Sequence, residues 1–180
     1  VQATGALSRI AYREEVEACL RTEDMSGISL LGLQDFPGQG TALVGMINSH
    51  FETKPYEFAK SEKFRQFFAS RVPLVKMDKY TYTTDEVFEF ELLFANYGKE
   101  DIGGIWRCEL EGVGLSEGSV EVCPRSKLTK ITVCRFALDK IEESKKLPVS
   151  VSVEIKENKP LKLTVSSCGK NVSVYSEEIL

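Results

Sequence analysis

The chain has 180 residues, of which 42% are hydrophobic and 28% are charged, and its formal net charge is -4. This composition is ordinary for a globular protein and argues against a strongly basic nucleic-acid-binding surface. No apolar run approaches the roughly 20 residues that a helix needs to cross a bilayer, so we expect no membrane partner. The start at Val1 shows neither an initiator Met nor a signal-peptide pattern, and we expect the chain to be a piece of something longer.

The first 72 residues have the pattern of a mixed helix and strand segment. Residues 6–21 predict a helix with a loosely apolar face, and residues 28–33 form a nearly continuous apolar run. Such a run is typical of a strand buried on both faces of a parallel sheet. Residues 41–47 and 61–70 predict two further helices, the second with phenylalanines at i, i+3 and i+4.

From Leu74 onward the apolar period changes to two. The alternation is clearest around residues 88–94, 149–155 and 161–166, and Gly, Pro and Asn turn signals separate the runs. About seven short strands over roughly a hundred residues predict a two-sheet antiparallel β-sandwich. The predicted fold is therefore mainly β, with an immunoglobulin-like sandwich at residues 73–180. A helix-strand-helix segment at residues 1–72 precedes it, with the boundary near Val72 and Pro73.

A polar, glycine-rich loop follows the predicted strand at residues 28–33. It contains Gln34, Asp35 and Gln39 around a Pro37-Gly38 pair that suits a type II turn. Loops that leave the carboxyl ends of barrel strands carry substrate contacts in α/β barrels. A structural turn ahead of a helix explains the same residues equally well.

Three segments resemble the end of the catalytic barrel in relatives of glycoside hydrolase family two, which includes β-galactosidase-like and β-glucuronidase-like bacterial enzymes. They are LLGLQDFPGQGTALVG at residues 30–45, KPY at residues 54–56 and FRQF at residues 64–67. In that family the eighth barrel strand and its loop are followed by a helix and then a β-sandwich. The resemblance is dense up to Pro73 and is architectural beyond it.

The resemblance implies a role without catalytic residues in this chain. Retaining glycosidases use two carboxyl groups, and in the family resembled both glutamates lie on earlier barrel strands. Gln34, Asp35 and Gln39 match the eighth-strand loop, so the resemblance implies that they line the sugar pocket or order that loop. The implied partners are the remainder of the parent barrel and, in the intact enzyme, a carbohydrate substrate. Self-association into a homo-oligomer, or docking of the segment at residues 28–33 onto the sandwich, is a further expectation, because the unpaired backbone groups of a strand without neighbours need a cover.

Other candidate site residues have simpler interpretations. We expect His50 to be a solvated loop histidine rather than a lone base, because no nucleophile and orienting acid accompany it. Trp106 alternates with Cys108 and Leu110, which favours the sandwich core over a sugar-stacking platform. The acids around Glu86 and Glu91 lack the close, regular spacing of a calcium loop. The sequence therefore predicts no metal and no cofactor.

A stand-alone sandwich that binds a glycan or a protein is the rival hypothesis. It needs a row of exposed aromatic residues on one sheet, and the sequence offers mainly scattered tyrosines: Tyr80, Tyr82, Tyr97 and Tyr175. A small independent hydrolase is a third alternative, without a recognisable nucleophile and base.

Five cysteines are spread widely along the chain, and no C-x-x-C pair suggests a zinc site. We expect reduced, mostly buried thiols, which favours a cytoplasmic location, while one disulfide between sandwich strands stays open. The cysteines are Cys19, Cys108, Cys123, Cys134 and Cys168.

Overall fold

The computed structural model describes the backbone of residues 1–39, 44–156 and 162–175, and the side chains of residues 1–38 and 44–156. The chain divides into two compact units, Val1–Ala69 and Ser70–Leu180. The division falls just before the first strand of the second unit, whereas the sequence placed it at Val72 and Pro73, inside that strand.

The described residues of the first unit form two α-helices and two single 3₁₀ turns. Helix α1 spans Gln2–Leu20 and helix α2 spans Ser61–Arg65, while the 3₁₀ turns lie at Pro37–Gln39 and Glu57–Ala59. The first predicted helix is confirmed, although it begins four residues earlier than expected. The helix predicted for residues 61–70 is only half as long, but its aromatic contacts form. The ring centroids of Phe64 and Phe67 are 4.7 Å apart.

The core of the first unit is small. One cluster contains the buried residues Met46, Phe58 and Ala59, and Tyr12 and Phe64 are among the half-buried residues that pack against them. Gly5 in α1 faces Phe58 so closely that a Cβ atom would lie 2.3 Å from the ring. This close approach lets the helix lie against the turn at Glu57–Ala59.

The predicted buried strand at residues 28–33 is wrong. These residues form no strand, and Leu31 is 93% exposed. Gly32 has a φ of +82°, a left-handed conformation that interrupts an extended strand. The apolar run predicted a strand with a ladder of hydrogen bonds to its neighbours. The structure instead has an isolated parallel bridge between Gln34 and Ile47.

The helix predicted for residues 41–47 is also wrong over residues 44–47, which are the part of it that the structure describes. Residues 41–43 lie outside the described part of the chain, and residues 44–47 are not helical. Ile47 instead bridges Gln34 on one side and Thr53 on the other. The backbone N–H of Gly45 donates to the side chain of Asp35 rather than to a helical carbonyl, which holds this segment extended.

In the second unit, the residues that the structure describes form eight strands in two sheets. One sheet has the order β1-β3-β6 and the other has the order β2-β8-β7-β4-β5. All pairings are antiparallel except the short β2–β8 pair, which is parallel. The strands are β1 Arg71–Lys76, β2 Thr81–Thr83, β3 Val87–Asn96, β4 Ile102–Leu110, β5 Gly114–Cys123, β6 Lys127–Ala137, β7 Lys145–Lys156 and β8 Lys162–Tyr175.

Side chains from both sheets form one apolar core, so the unit is a β-sandwich, as predicted. The strand β3 contributes Phe88 and Phe90, and the latter stacks with Phe136 of β6 at a centroid distance of 6.2 Å. The opposite sheet contributes residues such as Trp106 and Val151. Alternation along β4 and β7 places every second residue in this core, because successive side chains of a strand point to opposite faces.

Candidate functional site

The carboxylate of Asp35 is the centre of the polar site in the first unit. Asp35 is 5% exposed, and its Oδ1 accepts hydrogen bonds from the Lys54 Nζ and from the Gly45 backbone N–H, both at 2.8 Å. Burial of a carboxylate is costly unless a counter-charge and hydrogen bonds compensate it. Lys54 supplies the charge, and its own side chain is 14% exposed.

Three backbone segments bring these residues together. The N–H of Asp35 donates to Ile47 O at 2.9 Å, and the N–H of Ile47 donates to Leu33 O at 3.1 Å. On the other side of Ile47, its bridge with Thr53 places Lys54 next to the same loop. A Cβ atom at Gly45 would lie 2.4 Å from the Asp35 nitrogen, so only glycine allows this approach.

The other two predicted site residues differ in what the structure shows. The side-chain amide of Gln34 donates from Nε2 to Ser49 O at 3.1 Å, so it fastens one loop to the next. Gln39 ends the 3₁₀ turn at Pro37–Gln39, and its side chain lies outside the described residues. Asp35 and Gln34 are thus engaged by the protein itself. Contact of these three residues with a sugar stays a prediction for the intact enzyme.

A small concavity of about 180 Å³ lies beside this network. Its wall includes Gly45 and Lys54, the two partners of Asp35, together with Thr4, Ser8 and Phe58. Pockets that enclose small molecules usually measure about 300–1,000 Å³. The concavity is therefore too small to surround a sugar without further walls.

His50 lies on an exposed turn, as predicted. Its backbone N–H and that of Glu52 both donate to Asn48 Oδ1 at 2.9 Å, which is the geometry by which asparagine stabilises turns. The Asn48 side chain also donates to the Glu52 carboxylate at 2.9 Å. These contacts organise a turn and place no base beside a nucleophile.

The acidic residues singled out in the second unit, Glu86 and Glu91, are paired with surface lysines. Glu86 accepts from Lys79 and from the Thr83 backbone N–H, and these hydrogen bonds lower the pKa of the Glu86 carboxyl. The hydrogen bond from Lys130 likewise lowers the pKa of Glu91. Lowered values keep both groups ionised, which is the opposite of what a general acid requires.

A larger concavity of about 470 Å³ lies at one end of the sandwich. Its lining combines the charged residues Glu100, Asp101, Glu121 and Lys156 with the aliphatic residues Ile102, Val120 and Val122. Aromatic side chains, on which sugar rings stack, are absent from the residues that line it. Its chemistry does not match the predicted carbohydrate role.

The aromatic residues of the rival hypothesis do not form a common surface in the described part of the chain. Trp106 is 8% exposed and Tyr82 is 5% exposed, so both belong to the core. Tyr80 and Tyr97 are exposed, and the side chain of Tyr175 lies outside the described residues. The core placement of Trp106 is confirmed.

Sequence reasoning missed a buried ion-pair cluster on α1. Glu17 is fully buried, and its carboxylate lies 2.7 Å from Arg13 Nε and 3.3 Å from Arg21 Nη1. The two arginines flank Glu17 at i−4 and i+4, the spacing at which helical side chains meet. This spacing of opposite charges is the feature of the sequence from which the cluster could have been predicted.

The described cysteines are free. Cys108, Cys123 and Cys134 are buried and Cys19 is half-buried, so the prediction of mostly buried thiols is confirmed for these four. The side chain of Cys168 lies outside the described residues. Across residues 1–38 and 44–156, no group of three or more His, Cys, Asp and Glu side chains could hold a metal ion. Among the described helices, none combines the length and the hydropathy that a membrane span requires.

Comparison with known proteins does not identify a family. No protein-family model matches the chain, and no curated protein matches it. Among solved structures, the chain is similar to the crystal structure of the CARDB domain of the PF1109 protein from Pyrococcus furiosus, a complex with di-metal ions. The identity is 14%, the match covers 61% of this chain and 98% of that chain, and the TM-score is 0.43. This similarity is too distant to indicate a function.

Proposed function

We propose that this chain is a non-catalytic C-terminal portion of a glycoside hydrolase related to family two. In this proposal the Val1–Ala69 unit finishes the catalytic barrel, and the second unit is the immunoglobulin-like sandwich that braces it. The support is the resemblance of residues 30–45, 54–56 and 64–67 to the end of such barrels. The sugar-binding machinery and both catalytic carboxylates then come from the rest of the enzyme.

The exposure of apolar side chains in the first unit carries the proposal. Among the described residues, this unit exposes ten large hydrophobic side chains and buries six hydrophobic ones, whereas the sandwich exposes five and buries twenty-four. A unit that exposes more apolar side chains than it buries is poorly stabilised by itself. The exposed ten are Val1, Leu7, Ile10, Met25, Leu31, Leu33, Phe36, Val44, Phe51 and Phe68.

The position of these side chains fits a segment that another part of an enzyme covers. Leu31 and Leu33 belong to the run that resembles the eighth barrel strand, and Phe36 follows in its loop. In a barrel, flanking strands and helices would bury such residues. The Asp35–Lys54 pair would then fix the loop at the rim of the sugar pocket, and the open side of the 180 Å³ concavity would gain its missing walls.

Hydrolysis of a panel of aryl glycosides tests this function. The chain alone and a version extended upstream through the whole barrel are compared on the same substrates. We expect turnover by the extended protein only, and the preferred glycoside identifies the sugar. Hydrolysis by the 180-residue chain alone would refute the proposal, and Asp35, His50 and Glu52 would be the first residues to substitute.

Self-association of the chain tests the role of the exposed apolar side chains. We expect concentration-dependent association in sedimentation experiments, because burial of apolar surface drives proteins together. The substitution Leu31→Glu should weaken this association. Leu115→Glu is the matched control, since Leu115 is a 58% exposed leucine on the sandwich. Equal weakening of the association by both substitutions would show that the exposed apolar side chains of the first unit do not drive it.

A further inference from the structure

The strand β5 forms one edge of the five-stranded sheet. It pairs with β4 on one side, and no described strand pairs with its other side. An edge strand presents a row of backbone N–H and C=O groups without a ladder partner, and such a row can add a further strand. Every second side chain from Leu115 to Glu121 is exposed, so the outer face of this edge is open to a neighbour.

A β-bulge interrupts the alternation at the C-terminal end of β5. The β4–β5 register shifts between Ile102 and Gly104. As a result Gly103 alone faces two consecutive residues of β5, Glu121 and Val122, and both of these are exposed. A bulge re-aims the side chains of the strand that contains it. Because Gly103 has no side chain, the sheet surface between β5 and β7 is left bare at this point.

The concavity of about 470 Å³ lies at this bulge. Three carboxylates and one ammonium group line it, and aliphatic side chains complete its wall. Its volume is within the range of about 300–1,000 Å³ that is usual for pockets that hold small organic groups. The charged lining residues are Glu100 and Asp101 ahead of β4, Glu121 on β5 and Lys156 at the end of β7.

Two of the three carboxylates are not engaged by the protein. Asp101 Oδ1 accepts a hydrogen bond from the Arg125 backbone N–H at 2.8 Å. Within residues 1–38 and 44–156, the carboxylates of Glu100 and Glu121 form no hydrogen bond and no ion pair. Glu117, the preceding acid of β5, is paired with an arginine of β4. The negative potential at the concavity therefore remains to attract a cation from outside the chain.

The lining indicates which kind of cation fits. A calcium ion takes six to eight oxygen ligands, and the valines at 120 and 122 supply none. The side chains of lysine and arginine instead join an aliphatic stem to a charged head. The stem matches the two valines, and the head matches the carboxylates. The guanidinium group of arginine has five N–H donors, enough to bond the carboxylates of Glu100 and Glu121 together.

We propose that the β5 edge and this concavity together bind an extended peptide segment of another protein, with a lysine or arginine side chain of that segment in the concavity. The peptide backbone adds a strand to the sheet edge, and its main-chain hydrogen bonds supply affinity while the side-chain pocket supplies specificity. A peptide residue directly opposite Ser119 or Glu121 has its Cβ about 4.5–5.5 Å away. A long basic side chain at that position extends over the concavity.

The charges on β5 also select against other strands. Charged side chains on an edge discourage pairing with apolar strands, and like charges across an interface suppress wrong partners. Glu117 and Glu121 project from the outer face of this edge, so a basic strand is favoured over an acidic one. This binding site does not depend on the proposed glycosidase role, because only sandwich residues form it.

Fluorescence anisotropy of synthetic peptides with the full chain tests the proposal. The probe is a labelled peptide of alternating threonine and arginine, and the matched neutral probe has citrulline in place of each arginine. A further probe keeps the arginines but carries N-methyl groups on consecutive backbone nitrogens, which blocks both of its pairing edges. We expect the arginine probe to bind, and both other probes to bind at least about fivefold more weakly.

Substitutions on the outer face of the sheet locate the bound peptide. Glu121→Gln and Glu100→Gln should each weaken binding of the arginine probe by about fivefold. Glu109→Gln is the matched control, because it removes the same charge from an exposed residue of β4 that does not line the concavity. Hydrogen exchange should show added protection of β5 amides when the arginine probe is bound.

Four results would overturn the proposal. They are absence of binding by the arginine probe, equal binding of the arginine and citrulline or N-methyl probes, equal weakening by Glu121→Gln and Glu109→Gln, and added protection outside β5 alone. The third result would show attraction to the acidic chain as a whole rather than to this site. The substituted side chains are exposed, so these variants should fold like the wild type.

Discussion

The buried pair of Asp35 and Lys54 gives a quantitative test of how the first unit is held together. Replacing Lys54 with Met preserves most of the side-chain volume but removes the charge 2.8 Å from the Asp35 carboxylate. The Gly45 N–H then remains as the described partner of that Oδ1 atom. Removal of one member of a buried ion pair usually costs about 3–5 kcal/mol. Because Lys54 keeps partial contact with solvent, we expect about 3 kcal/mol.

A double-mutant cycle separates the pair from other effects of each substitution. Asp35→Asn removes the charge but keeps an oxygen that can accept from Gly45. The double variant Asp35→Asn with Lys54→Met contains neither charge, so its cost should be smaller than the sum of the two single costs. We expect a coupling of about 1–3 kcal/mol, the range found for residues in direct contact.

Urea unfolding followed by far-ultraviolet circular dichroism measures these differences, because α1 contributes strongly to that signal. Lys60→Met is the matched control: Lys60 is exposed and pairs with an exposed Glu57, so its replacement should leave the midpoint close to that of the wild type. The reasoning is refuted if Lys54→Met changes the free energy of unfolding by less than about 0.5 kcal/mol, the usual effect of a surface substitution.

Three further substitutions test other parts of the fold. Glu17→Ala should cost about 2–3 kcal/mol in urea unfolding, because it removes a fully buried carboxylate that pairs with both Arg13 and Arg21, whereas exposed Glu15→Ala should be nearly neutral. Burial raises the pKa of Tyr82, so stability should fall as pH rises from about 10, the unfolded value, through the higher folded pKa. Tyr82→Phe should therefore lose less stability than wild type between pH 8 and pH 11. Gly104→Ala would place a Cβ 2.2 Å from a backbone carbonyl oxygen of β7 and should lower the thermal midpoint through a disrupted β4–β7 ladder.

The sandwich could be predicted because its signal is local. Alternation along a strand such as β7 reports directly which side chains face the core, and turn residues mark where each strand ends. The short parallel pairing of β2 with β8 could not be predicted in this way, because partner choice between distant strands leaves no local periodicity.

The first unit was predicted less well because an apolar run is ambiguous. Residues 28–33 fit a buried strand by composition, but Gly32 in this run has a positive φ. No strand flanks the run in the part of the chain that the structure describes. Two of its large apolar side chains, Leu31 and Leu33, are exposed in this structure. Likewise, the Asp35–Lys54 pair spans nineteen positions, so the sequence identified Asp35 as unusual without identifying its partner.

Reconstitution of a split enzyme tests most directly whether the Val1–Ala69 unit completes another part of the same protein. The upstream barrel portion, expressed separately, is mixed with this chain, and hydrolysis of the preferred aryl glycoside is measured. We predict that neither piece is active alone, that the mixture is active, and that Leu31→Glu lowers the restored activity while Leu115→Glu does not. Full activity of either piece by itself, or restoration that Leu31→Glu leaves unchanged, would contradict this role of the first unit.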